Sequence, residues 1–101
     1  MKKIINGKKY DTNTAKELYT MSNGAQSDFG HVSETLYIKR TGEFFLYGEG
    51  GPMSRYAQSA GQNWWTGGEA ITPITEAAAR RWAEKNMDGD EFEAIFGEVE
   101  E

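Results

Sequence analysis

The residues able to do acid–base, metal or phosphate chemistry are few and poorly grouped. His31 is the single histidine. Ser27, Asp28, Ser33 and Glu34 lie near it in the chain. Neighbours in one loop do not make a nucleophile–base–acid triad, whose geometry comes from separate segments. The chain has no cysteine, which excludes disulfides, thiolate metal sites and a cysteine nucleophile. Gly48-Glu49-Gly50-Gly51 follows a strand-like run, as phosphate loops do. It lacks the Gly-Lys-Ser/Thr ending, no helix start follows directly, and Glu49 would repel a phosphate. A tight turn is expected there. Asp88-Gly89-Asp90-Glu91 has the composition of a calcium loop but not its alternate ligands and distant glutamate. No catalytic residue, metal site or cofactor is therefore expected, and the chain reads as non-enzymatic.

The elements that would position a binding surface are clearer. Thr35 to Gly51 reads as a β-hairpin with a glycine-rich exit, turning at Arg40-Thr41-Gly42. A three-residue loop with Gly42 left-handed pairs Lys39 with Glu43. Leu36, Ile38, Phe44 and Leu46 then share one face, the expected core. Tyr37, Phe45 and Tyr47 share the other, either covered by the Trp64-Trp65 loop or offered to a partner.

Lys2 to Asp11 reads as a short hairpin about Asn6-Gly7. Thr14 and Glu17 suggest a capping box for a short helix with Ala15, Leu18 and Tyr19 as its apolar stripe. Ala25 to Val32 reads as a polar loop, and Gly48 to Gly68 as an irregular one. Glu69 to Thr72 can add one strand, ended by Pro73. Thr75 caps the best helix, with Ala78, Ala79, Trp82 and Ala83 inward. Asp90 is expected to cap a second helix, with Phe92, Ile95 and Phe96 inward. The order β-β-α-β-β-β-α-α predicts one α+β domain over residues 1–101: a small antiparallel sheet of two hairpins plus one strand, with helices packed on one face.

With 101 residues and 38% hydrophobic content, of which aromatics are a large part, one core is expected. No apolar run reaches the ~20 residues that span a bilayer, and no signal peptide is evident, so a cytoplasmic protein is expected. The net charge is −5, and residues 84–101 carry eight acidic side chains against Lys85 alone. Such an end repels phosphates and attracts basic surfaces. A helix-turn-helix reading of the last two helices fails, because Glu91 and Glu93 would face the phosphates. Lys2, Lys3, Lys8, Lys9, Lys39 and Arg40 could form a basic patch, but the overall acidity argues against direct nucleic-acid binding.

Candidate partner contacts are of two kinds. The acidic set is Glu84, Asp88, Asp90, Glu91 and Glu93, whose carboxylates should point outward. The aromatic set is Tyr37, Phe45, Tyr47, Arg55, Tyr56, Trp64 and Trp65, residue types that dominate interface energetics. Adjacent tryptophans in an extended segment point to opposite sides. One of Trp64 and Trp65 is expected to bury and the other to stay near the surface.

Three segments together carry a resemblance: Lys3 to Thr12, Leu36 to Tyr56 with its YGEGGPMSRY, and Gly67-Gly68-Glu69 running through Pro73-Ile74-Thr75-Glu76 to Trp82-Ala83-Glu84. In these the chain resembles small acidic proteins of phages and mobile elements of Gram-positive bacteria. Genes of this size and setting include anti-CRISPR proteins, many of them non-enzymatic binders of CRISPR effector complexes. The resemblance implies an inhibitor whose partner is a CRISPR effector nuclease or complex. The alternative is a regulatory module binding another phage or host protein.

Overall fold

The computed structural model describes residues 1–24 and 29–101. The sequence readings at Ser27 and Asp28, and part of the loop read at Ala25 to Val32, fall outside the described residues.

The protein is α+β, with strands first and helices last. The strands are β1 (Lys2–Ile5), β2 (Lys8–Asp11), β3 (Lys16–Asn23), β4 (Val32–Ile38), β5 (Phe44–Gly50), β6 (Gln58–Gly61), β7 (Trp64–Thr66) and β8 (Gly68–Ile74). Helices α1 (Glu76–Asn86) and α2 (Gly89–Phe96) follow. The central antiparallel sheet has the order β3-β4-β5-β8, flanked by two separate ribbons, β1-β2 and β6-β7. This differs from two hairpins plus one strand in a single sheet.

The β4–β5 hairpin has the three-residue loop. Ile38 lies opposite Phe44 and Leu36 opposite Leu46. Gly42 has φ +89°, and the Lys39 N–H donates to the Glu43 carbonyl. Asn6 and Gly7 both have positive φ, as the two-residue turn between β1 and β2 requires. Pro73 is tolerated inside β8 because β8 is an edge strand and has a ladder on one side only.

The expected helix at Thr14 to Tyr19 is instead β3. Asp11 accepts from the Thr14 and Ala15 backbone N–H groups in a turn, and the chain then runs extended against β4. The register skips Leu18, between Glu17 and Tyr19. That bulge turns two successive apolar residues, Leu18 and Tyr19, towards the same core. Adjacent apolars broke the strand alternation in the sequence and imitated a helical stripe. The pairing with β4 outweighs a weak local propensity.

The helices cover one face of the sheet. Leu36 and Phe44 pack with Ala79, Ala83, Met87 and Phe92, and Ile38, Leu46 and Trp82 border them. The other face is covered by β1-β2, with Tyr10 edge-on to Phe45 at 5.6 Å and Phe45 stacked on Tyr37 at 5.1 Å. Phe45 is fully buried. The second helix is capped by Asp88, not Asp90. The Asp88 side chain accepts from the Glu91 N–H, and the Glu91 side chain accepts from the Asp88 N–H. Residue Met87 ends α1 early enough to make Asp88 the flanking position.

No helix among the described residues is long and apolar enough to cross a membrane.

Candidate functional site: the tryptophan ribbon and its root

The glycines after Tyr47 let a loop fold back onto the sheet. A Cβ at Gly48 would fall 2.0 Å from the Tyr56 ring, so Tyr56 occupies the space a side chain would fill. Gly48 is opposite Glu34 in the β4–β5 register. Glu34 therefore lies beneath the loop and collects its donors. The Tyr56 hydroxyl donates to Glu34 Oε2, Arg55 Nη2 sits 2.8 Å from Oε1, and Trp82 Nε1 donates to Oε1 at 3.0 Å. Burial alone would raise the Glu34 carboxyl. The Tyr56, Trp82 and Arg55 hydrogen bonds and the Arg55 charge outweigh it and hold the group below its ordinary value. The phenol of Tyr56 is pushed up to about 12, by burial and by the hydrogen bond to Glu34. One carboxylate thus ties together β4, the 51–57 loop and α1.

This anchored loop is the root of the β6-β7 ribbon. A Cβ at Gly68 would lie 2.3 Å from the Tyr56 carbonyl oxygen, and one at Gly67 2.7 Å from that of Gly50. Only glycine allows the ribbon to leave the sheet so closely. Beyond the root, every residue from 58 to 66 is exposed. Both tryptophans are out: Trp64 is 73% exposed and Trp65 60%. The expectation that one would bury is overturned. Successive strand residues do point to opposite sides, but neither side of this ribbon is covered. The molecule is correspondingly elongated, with extents of 50 × 33 × 20 Å and a radius of gyration of 15.0 Å. A compact chain of this length has about 13 Å.

Two further apolar side chains lie exposed at the same end of the sheet. Phe29 and Met53 are joined by the Met53 N–H donating to the Phe29 carbonyl at 2.8 Å. Neither was singled out in the sequence. Isolated Phe and Met in polar loops carry no pattern, and only the folding back of the 51–57 loop sets them side by side. Trp64, Trp65 and Arg55 among the aromatic set are exposed, Arg55 while its Nη2 pairs with Glu34. Tyr56 is half-buried and structural. Phe45 is excluded as a contact residue because β1-β2 lies over it, and Tyr37 and Tyr47 are half-buried beside it.

The Tyr47 hydroxyl donates to Glu69 and lies 3.3 Å from Glu49, and its own ionisation is pushed strongly upward, first by the Glu69 hydrogen bond. Glu49 and Glu69 face each other across β5 and β8. They and His31 line one open depression. Among the described residues no group of three or more potential ligands is placed to hold a metal ion.

The acidic set is exposed and lies along the two helices: Glu84 on α1, Asp88 at the turn, Asp90, Glu91 and Glu93 on α2. Three of these have local structural roles. Asp88 and Glu91 form the capping box, and Glu93 Oε2 accepts from the Val99 N–H at 2.9 Å. Glu84 and Asp90 have no such tie among the described residues.

The chain matches no family model, no curated protein and no solved structure. Function therefore rests on the surface.

Proposed function

We propose that the chain is a non-enzymatic inhibitor that binds a protein of a nucleic-acid-handling defence complex, and that its target is a CRISPR effector. The observation that carries the binding role is the pair of tryptophans held out on a ribbon whose residues are exposed on every side. Exposed large apolar side chains on a projecting element cost solubility and are characteristic of contact sites. Tryptophan is enriched among the few residues that supply most interface energy. The rigid root built on Glu34 presents the ribbon at a fixed place, which lowers the ordering cost of binding.

The target class rests on the resemblance of Lys3 to Thr12, Leu36 to Tyr56 and Gly67 to Glu84 to phage and mobile-element proteins. The acidic helices fit it as a second contact. Exposed carboxylates such as Glu84 and Asp90 are matched to grooves lined with basic residues, and act mainly on association rate. The test is a reconstituted cleavage assay with purified effectors of Gram-positive hosts. Stoichiometric protein should abolish target-DNA binding or cleavage, and Trp64→Ala with Trp65→Ala should restore it. Absence of binding and inhibition across such effectors would remove the target assignment.

A further inference from the structure

The end of the sheet away from the tryptophans carries a different surface. Seven of the chain's eleven basic residues lie between positions 2 and 40, and the fold gathers several of them at the β4–β5 turn. Two contacts dock β2 across that turn. Lys8 Nζ pairs with Glu43 Oε2 at 3.0 Å, and the Lys39 ammonium lies 4.2 Å from the centre of the Tyr10 ring. Between β2 and the turn is a cleft of about 250 Å³, lined by Lys9, Asp11, Thr14, Lys39, Arg40 and Thr41.

The charges in and around this cleft are unevenly satisfied. Glu43 is bound by Lys8, Lys39 and the Thr41 hydroxyl. The Asp11 carboxylate accepts from the Asn13 N–H at 2.9 Å. Lys9 and Arg40 are exposed and have no acidic partner among the described residues. Asp11 keeps its negative charge on the cleft wall, so Lys9 and Arg40 together leave a net excess of one positive charge there, in a protein of net charge −5. A second hollow adjoins it, sharing Thr14, Lys39 and Arg40 and adding Lys16. Lys16 is likewise exposed and unpaired among the described residues.

We propose that this cleft binds phosphate groups, and that the paired hollows take successive phosphates of a nucleic-acid strand. A guanidinium offers two parallel donors to a phosphate, the lysines add point charges, and the Thr14 hydroxyl adds a neutral donor. The acidic helices pack on the opposite face of the sheet from β1-β2, and charge interactions fall off over about 8 Å at physiological salt. The sequence expectation of no direct nucleic-acid contact rests on overall acidity, whereas the fold brings Lys9, Lys39 and Arg40 of the basic patch to one cleft. It is separate from the tryptophan ribbon, so either assignment can fail alone.

The test is an amide-resolved NMR titration of the ¹⁵N-labelled protein at low salt with inorganic phosphate, with a short single-stranded DNA and with polyglutamate. Phosphate and DNA should shift amides at 9–16 and 39–42. Lys9→Gln with Arg40→Gln should reduce the DNA affinity at least tenfold while leaving the rest of the spectrum unchanged. Binding through two or three cations should give a salt slope of roughly −1.4 to −2.1 on logarithmic axes. Shifts with inorganic phosphate but not with DNA would keep the phosphate site and identify its source as a small phosphorylated ligand. No shift with either, equal shifts with polyglutamate, or DNA binding unchanged in the double variant would overturn it. Arg40→Gln alone, on the exposed turn, provides the same readout should the double variant misfold.

Discussion

Trp82 Nε1 donates to Glu34 Oε1 at 3.0 Å and joins α1 to β4 across 48 positions of sequence. The same carboxylate holds Tyr56 and Arg55, so the packing of the helix and the placing of the ribbon root share one acceptor. Trp82→Phe keeps an aromatic ring against Tyr19 while removing the indole donor and part of the ring volume. It should cost about 1–3 kcal/mol, as expected for a hydrogen bond to a charged group. Glu34→Gln should cost at least as much, because Arg55 loses its counter-ion. Urea denaturation measures both. If both variants unfold at the wild-type midpoint, the root is not held by this network.

The acid limb of stability follows from the same group. The Glu34 carboxyl is held below its ordinary value in the folded protein, so it binds fewer protons folded than unfolded. Its contribution is fully present above the ordinary carboxylate range and is lost as pH falls through the lower folded value. Glu43, brought down to about 2 by Lys8, Thr41 and Lys39, acts in the same direction from the surface. Thermal melts between pH 7 and pH 2 should show a fall in midpoint below about pH 4.5 that is shallower in Glu34→Gln. An identical slope in the variant would contradict this assignment.

Gly48 is a packing requirement of the Tyr56 ring rather than a turn requirement. Gly48→Ala should destabilise by about 1–3 kcal/mol, as overpacking does. Tyr56→Ala should partly relieve the Gly48→Ala cost, giving a non-additive double-mutant cycle. Strict additivity would show that the two sites do not touch.

Asp88→Ala should cost about 0.5–2 kcal/mol by removing the α2 cap. Asp90→Ala, in the first turn but not at the cap, should cost less than Asp88→Ala. A larger loss at Asp90 than at Asp88, measured by thermal denaturation, would return the cap to Asp90.

Much of the fold is legible in the sequence. Asn6-Gly7 and Gly42 announced their turns because few residues accept positive φ. Thr75 announced α1 by its cap, and the Ala79, Ala83 stripe was found inward. β3 was missed because its bulge at Leu18 destroys the two-residue period. β6 and β7 were hidden among glycines, in a segment whose residues are wholly exposed and so carry no burial pattern. At the candidate site, Trp64 and Trp65 were visible as residue types. Their common exposure was not, since it depends on a ribbon with no cover. Phe45 was misread as a contact because nothing in the strand itself says that β1-β2 will lie over it. The Glu34 hub was missed because its donors come from positions 55, 56 and 82.

The most direct test of the proposed binding role is the affinity of the purified protein for a CRISPR effector, the target proposed above, compared with that of the Trp64→Ala, Trp65→Ala variant. Both residues are exposed, so the variant should unfold at the wild-type midpoint. Two hot-spot tryptophans, each worth about 2 kcal/mol, predict affinity weakened on the order of 1000-fold if the two add. A variant that binds within about threefold of wild type, a difference of under about 0.7 kcal/mol, would contradict the account.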